Sequence, residues 1–204
     1  MTSARTVTEP KQDRSRVTRQ RLLEATVRCL AERGWADATV SVIAAEAGTS
    51  RGALQHHFPT REALVVAALE YVFEQRTALV EGLPEPTEDG AARVHSVVAT
   101  LVEMYNGDLF RAALHAWTAA AADESVRAVI APLERRFARS VHALAVTHLG
   151  VDDEDAEVRT LIQATLDLAR GLALADLLTD DSKRRKRIVG AWSRLLAAEL
   201  DPRA

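Results

Sequence analysis

Between Gly34 and Thr60 the chain reads GWADATVSVIAAEAGTSRGALQHHFPT, and its breakers stand too close together for any long element. Gly34 and Gly48 can each supply a left-handed helix stop, and Pro59 cannot continue a helix. Thr39, Ser50 and Thr60 stand where a side-chain oxygen would cap the free amides of a following helix. This punctuation predicts a helix ending at Gly34, a second of about two turns after Thr39, a third from Ser50 to about His57, and a long fourth beginning REALVVAALEYVF. Helices of about two turns are unstable alone. Ala44, Ala47, Leu54 and Phe58 are therefore expected to pack them on the first helix, whose apolar positions Leu22, Leu23, Thr26, Val27 and Leu30 recur at helical spacing, with Leu64 closing the core.

The rest of the chain continues in helices. Patterns run through about Ala91–Tyr105, Asp108–Ala122, Glu124–Leu149, Asp153–Leu178 and Ser182–Leu200, after a Pro-rich hinge at Leu83–Pro86. Aromatics make up only 4% of the residues, which disfavours a sheet core and supports an all-α chain of about nine helices. Three regions are expected: a flexible, basic-flanked arm over 1–14, a three-helix domain over 15–61, and a larger helical domain over 62–204. The single cysteine, Cys29, cannot form an internal disulfide. With no leader-like segment and no apolar run of membrane-spanning length, a cytoplasmic protein is expected.

The third helix carries the chemistry. A short helix, a glycine-containing turn and a second short helix form the helix-turn-helix arrangement, whose second helix enters the DNA major groove. AGTSRGALQHHFP concentrates Ser50, Arg51, Gln55 and His56 there, groups that can read base-edge donors and acceptors, while Gly52 and Ala53 permit close approach. Charge agrees: residues up to Arg61 hold ten Lys/Arg against six Asp/Glu, whereas the remainder is net acidic.

The run Arg21–Leu64, with LLEATVRCLAERG, TVSVIAAEAGTS and HHFPTREAL in order and without gaps, resembles the N-terminal domain of the TetR family of transcriptional regulators. The resemblance implies that Ser50, Arg51, Gly52, Gln55 and His56 lie at or near the groove of a double-stranded operator, and that Thr39 and Arg61 meet phosphates. Gln55 replaces the tyrosine most members carry, so the operator cannot be borrowed from a relative. The resemblance also implies a helical ligand-binding and dimerisation domain, with 153–178 and 183–200 forming a four-helix bundle across the two-fold axis of a homodimer, and a small-molecule effector releasing a repressor from a palindromic operator. A non-inducible architectural dimer stands as the alternative.

Within the C-terminal region, Met104, Tyr105, Arg111, His115 and Trp117 mix large apolar side chains with polar anchors, as a ligand pocket does. An ordinary core fits the same residues. Arg170 follows Asp167 at i+3 and can pair with it, or it can turn inward toward an anionic ligand. No catalytic constellation and no cofactor motif is present, so the chain is not expected to be an enzyme. Adjacent His56 and His57 point apart on a helix, and His142 and His148 are six apart, both poor spacings for one metal ion. Asp152–Asp155 opens a helix and complements its dipole, whereas Lys183–Arg187 opposes the dipole of the last helix.

Overall fold

The computed structural model describes residues 9–200. Among them are nine helices and no strand: α1 (Glu9–Asp37), α2 (Val40–Glu46), α3 (Arg51–His57), α4 (Arg61–Glu81), α5 (Gly90–Glu103), α6 (Gly107–Ala122), α7 (Glu124–Leu149), α8 (Ala156–Asp176) and α9 (Ser182–Leu200). Part of the expected arm, residues 1–8, lies outside the described residues. The remainder is helical, because α1 already starts at Glu9. Pro10 suits that first turn, where its missing N–H would have no intrahelical partner.

Local punctuation decides the helix ends. Gly34, at φ 78° and ψ 179°, interrupts α1 and leaves Trp35–Asp37 as a separate last piece. The Ser50 and Thr60 hydroxyls accept from the Ala53 and Ala63 amides, each at 3.1 Å. Helix α8 begins later than its sequence pattern suggested, because the acidic run forms its entry. Asp152 accepts from the Glu154 amide at 2.9 Å, and Asp155 caps the helix from the Glu157 amide at 2.8 Å.

The chain divides into two compact units: residues up to Val72 together with Arg111–Ala131, and Phe73–Phe110 together with the chain from Pro132 onward. In the first unit, Leu22 and Leu30 of α1, Ile43 of α2, Leu54 of α3 and Leu64 of α4 are completely buried. In the second, α5 packs on both α8 and α9. The Trp192 indole N–H donates to the Thr165 hydroxyl at 2.9 Å and ties α9 to α8.

Two of the cations that open α9, Arg184 and Arg185, are matched by nearby acids. Arg184 pairs with Asp181 at 2.5 Å, and Arg185 reaches Asp176 at 2.5 Å and Glu103 at 3.7 Å. These carboxylates offset the unfavourable placement of positive charge at a helix N-terminus. His142, half-buried, pairs with Asp153 at 2.7 Å. His148 is buried, and that burial pushes its imidazole pKa down.

Candidate nucleic-acid interface

Helix α2 ends in a closed hydrogen-bonded turn. The Gly48 amide donates to Ala45 O at 3.1 Å and the Thr49 amide to Ala44 O at 3.0 Å, with Gly48 at φ 63°. This pair of bonds is the Schellman arrangement, which satisfies the last carbonyls of α2 and turns the chain directly into Ser50. At the other end of α2, the Thr39 hydroxyl accepts from the Val42 amide at 3.4 Å. Two seven-residue helices are thus capped within one continuous stretch, and the backbone orientation of α3 follows from α2.

The two faces of α3 then differ sharply. Leu54 is its one buried residue, and Phe58 just after it is buried as well. Ser50, Arg51, Gly52, Gln55 and His56 are all exposed. His57 is half-buried, with its ring centroid 5.6 Å from that of His56 in an edge-on arrangement. Ala44 is buried with Leu54, while Ala47 is only half-buried. Five residues that the sequence placed toward a groove therefore share one solvent-facing surface.

Two polar links hold this head on α1. Arg28 Nε donates to Glu46 Oε1 at 2.9 Å, joining α1 to α2, and the Arg19 guanidinium sits 5.2 Å from the Phe58 ring centroid. Arg61 is half-buried and turned inward. Its Nε donates to Ala38 O at 3.1 Å, another of its nitrogens donates to Trp35 O, and its guanidinium lies 5.6 Å from the Trp35 ring centroid. Those contacts close the carbonyl ends left open by the Gly34 break. Thr39 remains exposed.

The six residues singled out for a ligand pocket distribute differently. Arg111, His115 and Trp117 belong to the first unit, where Arg111 is exposed, Trp117 is half-buried and His115 lies against Gly34. Met104, Tyr105 and Arg170 belong to the second. Met104 follows α5 and lines an open groove with Leu79, His95 and Ala99. Tyr105 is completely buried. Arg170 pairs with Asp167 at 2.6 Å and also holds its guanidinium 5.5 Å from the Tyr105 ring centroid, so the local pair and the inward turn occur together. Of the six, the structure joins Tyr105 and Arg170.

Sequence reasoning missed Arg76. It is 3% exposed on α4, and none of its three guanidinium nitrogens has a hydrogen-bond partner. The signal was available: Leu69, Val72, Phe73, Thr77 and Val80 form the buried stripe of α4, and Arg76 falls on that stripe.

Residues 22–68 match the family model of bacterial regulatory proteins, tetR family. The HTH-type transcriptional regulator CymR of Pseudomonas putida is 29% identical over 179 residues, which cover 86% of this chain and 87% of that protein. A tetR-family transcriptional regulator from Streptomyces coelicolor shares the fold at a TM-score of 0.70 with 21% identity, over 90% of this chain and 80% of that one. The multidrug binding protein EbrR, solved with imidazole, is 26% identical at a TM-score of 0.54, over 85% of this chain and 93% of its own.

Proposed function

We propose that the chain, whose residues 22–68 match the model of the tetR family of bacterial regulatory proteins, is a homodimeric repressor of that family which a small molecule releases from a palindromic operator. The observation that carries the reading is the exposed polar face of α3, held in place by the Ser50 cap and the α2 turn. Arg51 and Gln55 are its base readers, because a guanidinium and a carboxamide can each make two hydrogen bonds to one base edge. Ser50, Gly52 and His56 lie at the groove beside them. Thr39 and Arg61 serve the phosphate backbone, with Arg61 acting largely through the loop carbonyls that it holds.

Two such heads sit one helical turn of DNA apart, at a spacing set by pairing of α8 and α9 with their copies. That pairing is supported by apolar side chains left in solvent on both helices: Leu174 is 44% exposed and Leu195 is 62% exposed. Effector binding favours a dimer whose heads are wrongly spaced, so affinity for the operator falls by the effector's preference for that state. The solved complex of EbrR, a multidrug binding protein, with imidazole supports a small-molecule effector. Helix α4, which supplies residues to both units, is the connecting element.

Fluorescence anisotropy on DNA from upstream of the protein's own gene, with random duplex as competitor at two salt concentrations, tests the regulator reading. Binding should survive the competitor. Loss with both competitor and salt means only phosphate attraction at that site. In the same assay, Arg51→Ala and Gln55→Ala should each cost about 1–3 kcal/mol on the preferred sequence and relax its selectivity. Arg61→Ala should weaken all sequences alike. An equal loss on every duplex for all three variants would remove Arg51 and Gln55 from the reader role.

A further inference from the structure

We propose that Arg76 and Tyr105 form the anion-binding end of a site in the second unit for a small organic monocarboxylate with an apolar, ring-bearing body. The inference deepens the ligand-released reading above and names the chemical class of the effector.

A guanidinium carries five N–H donors in one plane and does not give up its charge in proteins. Arg76 has none of its nitrogens hydrogen-bonded, and the Tyr105 hydroxyl beside it is likewise buried without a partner. Buried ions are normally paired, because desolvating one without compensation costs several kcal/mol. What Arg76 does have is aromatic. Its guanidinium carbon lies 3.8 Å from the Phe137 ring centroid, 5.4 Å from that of Tyr105 and 5.8 Å from that of Phe73. At 3.8 Å from the centroid the guanidinium carbon lies over the ring, a cation–π contact that supplies no hydrogen-bond acceptor to its N–H groups.

The surrounding charges reinforce the need for an anion. Arg170 stands on the same tyrosine, 5.5 Å from its ring centroid, and its positive charge opposes that of Arg76. Glu134 is close enough to favour the Arg76 cation, yet it bonds none of the guanidinium nitrogens. Burial is the largest influence on both orphan groups: it pushes the Arg76 pKa down and the Tyr105 phenol up. Arg170 approaches that phenol without hydrogen-bond geometry and opposes the rise.

The chemistry of the cluster selects the ligand. A guanidinium fork matches the two oxygens of a carboxylate, and a phenol adds one further donor. Arg170 already holds Asp167 at 2.6 Å and Glu134 adds a negative charge near Arg76, so the cluster offers free donors but little spare positive charge, and a monoanion fits better than a phosphate dianion. The ring of Phe110, with its centroid 5.6 Å from that of Tyr105, extends the aromatic wall formed with Phe73 and Phe137. Such a wall suits a flat apolar body.

The test is calorimetric titration and thermal denaturation of the full chain with benzoate, phenylacetate and cinnamate, each beside its neutral amide. At least one acid should bind and raise Tm, with its amide weaker by about tenfold or more. Arg76→Met should weaken that acid by about tenfold to a hundredfold while leaving the ligand-free Tm equal or higher, because an unpaired buried charge has been replaced by an apolar side chain. Tyr105→Phe, which deletes only the hydroxyl, should weaken the acid without loss of fold. The inference is overturned if no acid binds, if amides bind as well as acids, or if Arg76→Met unfolds the protein and Tyr105→Phe leaves acid binding unchanged. Operator release is measured separately. An acid that binds at Arg76 but leaves DNA affinity unchanged supports this site and refutes its role as the effector site, whereas release from specific DNA by a neutral or cationic small molecule, with no acid bound at Arg76, refutes this site and leaves the ligand-released reading standing.

Discussion

Leu54→Ala should cost about 2–5 kcal/mol and abolish sequence-specific DNA binding. Leu54 is completely buried and is the only buried residue of α3. A seven-residue helix has too few internal hydrogen bonds to persist without a packed face. Truncation removes that face and leaves a cavity among side chains of neighbouring helices, which relax only in part. The loss should concentrate in the first unit, so the two units need not unfold together. Hydrogen exchange is the suitable measurement: the amides of Leu54 and Phe58, bonded to Ser50 O at 3.0 Å and to Leu54 O at 2.9 Å, should lose protection before those of α8. If both amides stay as protected as in the parent protein, Leu54 does not anchor α3.

Gly34→Ala should lower stability by about 1–3 kcal/mol, and by more than the equivalent change at Gly48. Gly34 sits at φ 78° and ψ 179°, a region that only glycine adopts readily. A Cβ there would also meet the His115 ring at 3.4 Å, at the near edge of van der Waals contact. Moving Gly34 would disturb the carbonyls of Trp35 and Ala38 that Arg61 holds, and with them the entry to α2. Gly48, at φ 63°, lies in the ordinary left-handed helical region, and a Cβ added to it would meet nothing within 4 Å. Gly48→Asn should therefore recover most of the loss seen in Gly48→Ala, while Gly34→Asn should recover little. Tm values read the comparison, at about 2–4 °C per kcal/mol for a chain of this size. Equal costs at the two glycines would show that neither the backbone region nor His115 matters at Gly34.

The head was readable because its signals are local. Thr39, Ser50 and Thr60 each accept from an amide three residues later, so residue type and position were enough to place α2, α3 and α4. Asp155 could have been read the same way, yet the neighbouring acids Asp152 and Asp153 fit the helix pattern equally well and moved the expected start of α8 too early. The Asp167–Arg170 pair was legible as a one-turn neighbour. Arg61 was expected, from the resemblance, to meet phosphate. Its inward turn was not, because its acceptors Trp35 and Ala38 lie more than twenty residues away.

Arg76 marks the boundary between the two kinds of information. The helical period of α4 placed it on the apolar stripe, and that much belongs to the sequence by itself, since 3.6 residues per turn fixes which side chains share a face. The sequence by itself likewise determined the all-α class, the capped helix-turn-helix head and the exposed polar row of α3, all of them consequences of hydrogen bonds and periods spanning a few residues. Only the tertiary structure decided that Phe137 stacks on Arg76, that Arg170 shares Tyr105 with it, and that His115 lies against Gly34 instead of joining Tyr105. Those pairings join residues from separate helices, and which helices meet is set by how their apolar faces pack, a collective outcome that no short stretch of chain encodes.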